Sequence, residues 1–369
     1  MKRRDAFLGI AALCVALGGR NSFAQGMQAK RRIAFLGVTP GDAPATLTML
    51  AAFREGLVGE GLLEKRDFAI DYSPESRIDQ VPTKVAEVLK GSPALLVAVT
   101  TPVALAAAKA TRQVPIVFGT VSDPVGSGLV ASLARPGGNI TGVSNMLPAL
   151  SGKLLELVRE LIPGTSRVDV LWNPDNPAKA IEAEELRTAA RKLSVALKEF
   201  PARTLADIEN ALARGVKERP TVLVILGETV TYTYRKRIAE LALAGRIAVV
   251  SNISTHTEAG GVMSYQPEYR ALYRRVGALA GKILKGAKPA DLPVELPAKF
   301  ELLVNKGAAR APAISIPPSI LLRADRVIEW LMGLGRLQPR AVEKFMRVCH
   351  RTTACRVTRR ERHAPDAGR

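Results

Sequence analysis

At 369 residues and 47% hydrophobic content, the chain is too long for one ordinary compact domain and has material for two cores. Its net charge of +19 is unevenly spread: residues 330–369 contribute +7 and residues 1–24 contribute +3, which leaves +9 for the body. A moderately basic body, only 5% aromatic residues in the whole chain and no basic run interleaved with aromatics argue against nucleic-acid binding.

Residues 1–24 read as a targeting segment. Lys2, Arg3 and Arg4 supply a positive start, residues 6–17 an apolar run, and Ser22-Phe23-Ala24 the small residues that place cleavage after Ala24. The alternative, an uncleaved membrane anchor, asks for ~20 apolar residues, more than this run offers. Arg3-Arg4 followed by Phe7-Leu8 loosely resembles a twin-arginine export signal. Cys14 follows Leu13, which is too large for a lipid-attachment box.

The body then alternates. Short apolar runs over 32–37, 68–72, 94–99 and 115–119 predict buried strands. Helical spacing over 47–60, 81–90 and 102–110 predicts the helices between them, the first ended by Gly61. Strand and helix in strict alternation imply a parallel sheet covered on both faces. The pattern restarts past a boundary near residue 145. Helices are predicted over 154–161, 178–193, 205–213 and 233–244, with strands over 167–172, 196–200, 221–227 and 247–251. A long amphipathic helix over 268–284 follows Met263-Ser264-Tyr265, and Pro-rich irregular segments over 286–299 and 311–318 come after it. Residues 330–369 are basic and end in Ala-Pro-Asp-Ala-Gly-Arg, a composition expected to stay disordered.

In doubly wound sheets ligands sit beyond the carboxyl ends of the strands. Those loops carry Thr39, Thr100, Thr101, Ser122, Asp123, Asn173, Glu228 and Asn252, which are hydrogen-bonding groups suited to a polar small molecule. Thr100 and Thr101 precede a helix beginning at Pro102, so unpaired backbone N–H groups there can receive a carboxylate. Asp123 or Glu228 can meet an ammonium group, and Tyr265 can cover an apolar side chain. Asp123 precedes Pro124, so a turn-starting role stands equally open.

A catalytic constellation is missing. His256 is the only histidine of the body and sits among threonines, the setting of a structural residue. No nucleophile elbow or phosphate-binding loop is present. The run from Gly126 to Ala131 fits a dinucleotide fingerprint, but it starts seven residues past the fourth strand and has no acid ~20 residues on. It reads instead as a helix start packed tightly on the sheet. Residues 25–329 contain no cysteine, so the body has no disulfide and no thiol nucleophile, and no metal or cofactor is implied. Cys349, His350, Cys355 and His363 match no usual zinc spacing.

Several motifs in order carry a resemblance. Pro115-Ile116-Val117-Phe118 leads through Ser122-Asp123-Pro124-Val125-Gly126 to Arg135-Pro136-Gly137-Gly138-Asn139-Ile140-Thr141-Gly142. Ala259-Gly260-Gly261-Val262-Met263-Ser264-Tyr265, Gly286-Ala287-Lys288-Pro289-Ala290-Asp291-Leu292-Pro293 and Ile316-Pro317-Pro318-Ser319 follow. Over about residues 31–329 the chain resembles bacterial ABC-transporter substrate-binding proteins of the tryptophan/tyrosine type. The resemblance implies an α/β fold of two doubly wound parallel-sheet lobes joined by a hinge, the type I periplasmic-binding fold. Lobe 1 is expected over 31–145 plus 266–329, and lobe 2 over 146–265. It further implies an extracytoplasmic monomer, without catalysis or cofactor, that passes an amino acid or similar carboxylate to membrane permease subunits. Gln266 departs from the pattern, for relatives commonly carry Gly there. A small-molecule α/β enzyme using Asp123 or His256, and a sensory ligand-binding module, are the rival readings.

Overall fold

The computed structural model describes residues 31–75, 77–218 and 222–329, so the expectations for 1–24 and 330–369 fall outside the described residues. The first lobe runs β1 (Arg31–Gly37), α1 (Pro44–Gly59), β2 (Phe68–Pro74), α2 (Val81–Lys90), β3 (Leu95–Val99), α3 (Thr101–Ala110), β4 (Ile116–Val121) and β5 (Ile140–Ser144). Its sheet is parallel throughout, in the order β2-β1-β3-β4-β5.

The continuous apolar strands are explained by burial on both faces. Ile33, Phe35, Leu95 and Val97 pack on one side, against Phe53 and Leu57 of α1. Ala34, Leu36, Leu96 and Ala98 pack on the other, against Val85 of α2 and Val103 and Ala107 of α3. A period of two with both phases apolar is what a sheet covered by helices on each face demands. The fifth strand, β5, has no counterpart among the predicted elements. The run from Gly126 forms turns and no helix, with Gly128 at φ +71°, so the predicted helix start there does not hold.

The second lobe runs α4 (Leu147–Leu161), β6 (Arg167–Trp172), α5 (Pro177–Lys192), β7 (Ala196–Pro201), α6 (Leu205–Glu218), β8 (Val222–Ile225), α7 (Thr229–Thr233), α8 (Arg235–Gly245), β9 (Ala248–Ser251), α9 (Ser254–Glu258) and β10 (Met263–Pro267). The chain then returns to lobe 1 as α10 (Tyr269–Leu284), whose Tyr273, Val276 and Leu279 join the core beside α1. It crosses back for β11 (Phe300–Asn305), α11 (Lys306–Ala309), α12 (Pro318–Arg323) and β12 (Arg326–Ile328). The second sheet is ordered β12-β11-β10-β9-β8-β6-β7, with β11 antiparallel to β10.

The expected division is therefore corrected at its last part. Within 266–329, α10 belongs to lobe 1, while β11 and β12 extend the sheet of lobe 2. The cause is side-chain alternation: Leu302 and Val304 of β11 enter the core that holds Leu154, Val170 and Val250. The lobes are thus joined by three crossovers, between β5 and α4, between β10 and α10, and before β11.

Candidate functional site

A cleft of about 540 Å³ opens between the lobes, within the usual 300–1,000 Å³ of small-molecule sites. Its lobe 1 wall is built by the loops after β1, β3 and β4. Thr39, Thr100, Thr101 and Ser122 all line it, as expected from strand ends. Thr39 Oγ1 lies 2.5 Å from Thr46 Oγ1, and the Tyr72 hydroxyl donates to the Thr39 carbonyl at 2.6 Å. Tyr72 thus lies against the β1–α1 loop, and a Cβ at Gly37 would displace its hydroxyl from the Thr39 carbonyl.

Thr100 stands at φ 77°, ψ 157°, a region that only glycine occupies without strain. Its N–H donates to Gly119 O at 3.1 Å, and its carbonyl accepts from Ala104 N at 3.1 Å, so the chain is held there from both sides. No side chain caps α3, and none caps α1, whose first residues Pro44, Ala45 and Thr46 also line the cleft. Both helices carry proline in the first turn, where a missing N–H is harmless. Their remaining first-turn N–H groups and their dipoles point positive potential at the cleft.

The lobe 2 wall is the electrostatic opposite. Glu228 is 7% exposed and caps α7: its Oε1 accepts from Val230 N at 2.8 Å and Thr231 N at 3.3 Å. Its Oε2 has only the Asn173 amide, at 3.5 Å. Burial pushes this carboxyl above the ordinary value, against the pull of its capping bonds and the nearby Lys179 cation. Helix α5 is likewise capped by its own residue, Asn176 Oδ1 accepting from Ala178 N at 3.1 Å. Lys179 reaches the cleft but is 3% exposed and bound to Glu182 at 2.6 Å. Asn252 lies behind this wall, its Oδ1 accepting from Gly227 N at 2.8 Å and its Nδ2 donating to Glu182.

Four expected site residues are therefore not among the lining residues. Asn173 and Asn252 stand one layer back, orienting Glu228, Gly227 and Glu182. Asp123 lies outside the lining, and within its own loop its Oδ1 accepts from Gly126 N at 2.8 Å, the contact of a turn-starting residue. Tyr265 stacks on Phe300 at 5.9 Å over the core of lobe 2. Successive strand residues face opposite ways, so it is Gln266, its neighbour, that faces the cleft. Gln266 Oε1 accepts from Ser254 N, and its Nε2 donates to Glu301 Oε2 at 3.4 Å.

Residues that strand-end reasoning missed come from crossovers and helix starts. Asn145, in the first crossover, donates to Thr120 O at 3.0 Å and hydrogen-bonds Tyr269, the first residue past the second. Lys179, Gln266, Tyr269, Tyr273 and Glu301 also line the cleft. The departure at Gln266 was the one sequence signal that pointed to this floor.

His256 is buried behind the cleft and is not among its lining residues. Ser251 Oγ donates its single proton to Ile225 O at 3.2 Å and accepts from Ile253 N at 3.2 Å. The same hydroxyl lies 3.1 Å from His256 Nδ1 and holds the ring in place. Desolvation, with Arg235 and Lys179 nearby, pushes the imidazole down to about 4. Among the described residues no group of three or more His, Cys, Asp or Glu is placed to hold a metal ion, and no helix is long and apolar enough to cross a membrane.

Comparison with known proteins gives this arrangement a context. A "Tyrosine-binding protein" of Clostridioides difficile (strain R20291) is 29% identical over 217 residues, which span 59% of this chain and 62%, under two thirds, of that protein. A solved conserved domain protein from Vibrio cholerae is 27% identical, with a TM-score of 0.76 over 81% of this chain and 99% of its own. The ABC domain from Streptococcus pneumonia solved in complex with L-Trp shares the fold at 24% identity, with a TM-score of 0.75 over 81% of this chain and all of its own. The two mostly parallel α/β lobes are those of the type I periplasmic-binding fold. The model of the ABC transporter substrate binding protein family matches residues 38–328, so strand order, cleft and sequence agree: the chain belongs to that family.

Proposed function

We propose that this protein captures an amino acid between its lobes, with the carboxylate toward lobe 1 and the ammonium toward Glu228 of lobe 2. The observation that carries the reading is the polarity of the cleft. Lobe 1 offers the uncapped starts of α1 and α3, whereas the starts of α5 and α7 in lobe 2 are already capped. Lobe 2 offers a buried carboxylate with one oxygen nearly without partners. A zwitterion fits these two walls in one orientation only. The names of the relatives add support, one being called tyrosine-binding and another having been solved with L-Trp.

On this reading Thr39, Thr100, Thr101, Ser122 and Glu228 contact the ligand, and Asn173 and Asn252 hold the lobe 2 wall in place. A ligand touching both walls favours the closed state by its differential affinity, and the three crossovers are the hinge. The chain acts as the exported component of an ABC importer, cleaved after Ala24, working as a monomer in the periplasm and delivering its ligand to permease subunits without catalysis.

Calorimetry with a panel of amino acids and sugars tests this. Glu228→Gln keeps an acceptor for the α7 cap but removes the charge. Loss of a charged hydrogen bond of about 1.5–3 kcal/mol corresponds to roughly 10–150-fold weaker binding. Asp123→Ala, in contrast, leaves affinity unchanged. Binding of sugars alone, or an unaltered Glu228→Gln variant, overturns the reading.

A further inference from the structure

Six ionisable side chains other than tyrosine line the cleft: Lys179, Arg270 and Arg326, against Glu228, Glu258 and Glu301. Each cation already has an acid. Lys179 is bound to Glu182 at 2.6 Å, Arg270 to Glu55 at 2.7 Å and Arg326 to Glu258 at 3.1 Å. Among the described residues neither Glu228 nor Glu301 has a Lys or Arg within ion-pair distance. The cleft therefore holds two unmatched acids, and a zwitterionic ligand with a neutral side chain satisfies only one of them.

Glu301 sits where a ligand's far end would arrive. It lies opposite Gln266 in the β10–β11 pairing, and because β11 runs antiparallel its first residues lie at the carboxyl edge of the sheet, the edge that also bears Glu228. Its carboxylate is half-buried, and its one side-chain partner is Gln266 Nε2 at 3.4 Å. Gln266 Oε1 is taken by Ser254 N, so the pair presents an acceptor toward the cleft. Three strand spacings separate β8 from β11, about 14 Å between backbones along the sheet edge, so Glu228 and Glu301 stand apart on one edge and a single ligand meets both only when an extended chain separates its two cationic groups. Tyr72, Tyr269 and Met49 along the cleft supply polarizable, apolar surface for such a chain.

We infer that Glu301, oriented by Gln266, is a specificity-determining residue that selects a basic side chain, so that the ligand is an amino acid with a second cationic group. This rests on the amino-acid reading above and deepens it. A half-buried carboxylate whose one side-chain partner is a neutral amide loses part of its hydration without a compensating charge, and a cation arriving at Glu301 supplies that charge only when the ligand carries one. The neutral side chains of tyrosine and tryptophan do not.

The test is calorimetry of the full chain with L-lysine, L-norleucine, L-tyrosine and L-tryptophan as probes, repeated with Glu301→Gln. Norleucine matches lysine in chain length to within one atom and lacks the ammonium. The expected result is lysine at least tenfold tighter than norleucine on the wild type, with the preference collapsing toward one in Glu301→Gln. Norleucine, tyrosine or tryptophan binding as tightly as lysine overturns the inference and leaves the amino-acid reading standing. A folded wild type that binds none of the four overturns both. The wild-type comparison decides the matter even if the variant folds poorly.

Discussion

His256 shows how a single buried side chain can matter without touching a ligand. Its ring hydrogen-bonds Ser251, and its value falls from 6.5 to about 4 because the charged form cannot be solvated there. A lowered folded value means that the unfolded chain binds the proton first. The contribution to stability is therefore complete above pH 6.5 and is lost as pH falls toward about 4, in total about 3 kcal/mol. Denaturant melts between pH 7 and 4 should show stability rising with pH in the wild type and a flatter profile for His256→Asn; equal slopes contradict the burial argument. The same residue was legible from sequence as structural, since one histidine without acid or nucleophile beside it has no chemistry to perform. Asp123 was not decidable in that way. Its carboxylate had two local uses, a turn and a ligand, and only the bond to Gly126 N separates them.

Among the elements, α10 carries the most consequence per residue. It packs on α1 backbone to backbone: a Cβ on Gly277 would meet Phe53 O at 2.0 Å, and one on Gly56 would meet Arg274 O at 2.0 Å. Neither helix can yield without disturbing Phe53, Leu57, Val276 and Leu279, which fill the core beneath them. Gly277→Ala should cost about 1–3 kcal/mol or more by overpacking, read as a lowered melting temperature, whereas the more open Gly59→Ala should cost little. A Gly277→Ala variant as stable as wild type contradicts this packing. The amphipathic period made α10 visible in the sequence, but its partner was not, because a glycine at a helix contact looks the same as one anywhere else. Short elements fared worse. β5 is five residues of Ile, Thr, Gly, Val and Ser, and position 142 takes glycine because the Phe118 carbonyl and ring stand where a Cβ would be. No apolar run announces such a strand.

For the molecule as a whole, two lobes follow from two rounds of strand and helix alternation, which periodicity reveals. The three crossovers do not, because nothing in the period of β11 says which core its alternate residues Leu302 and Val304 enter. The candidate site divides along the same line. Thr39, Thr100, Thr101, Ser122 and Glu228 were legible because parallel strands aim their carboxyl ends at ligands. Asn145, Lys179, Tyr269 and Glu301 were not, because they reach the cleft through crossovers and lobe packing that span more than a hundred residues of chain, and Gln266 showed only as a departure from the family pattern. At this scale the proposed function comes down to the space between the lobes, which an amino acid fills. Native mass spectrometry of the full chain purified from an exporting host reads that directly. The expected result is a 1:1 adduct whose mass, after release, is that of an amino acid, diminished in Glu228→Gln. A released sugar or other molecule without an ammonium group, or an adduct that persists undiminished in that variant, would contradict it.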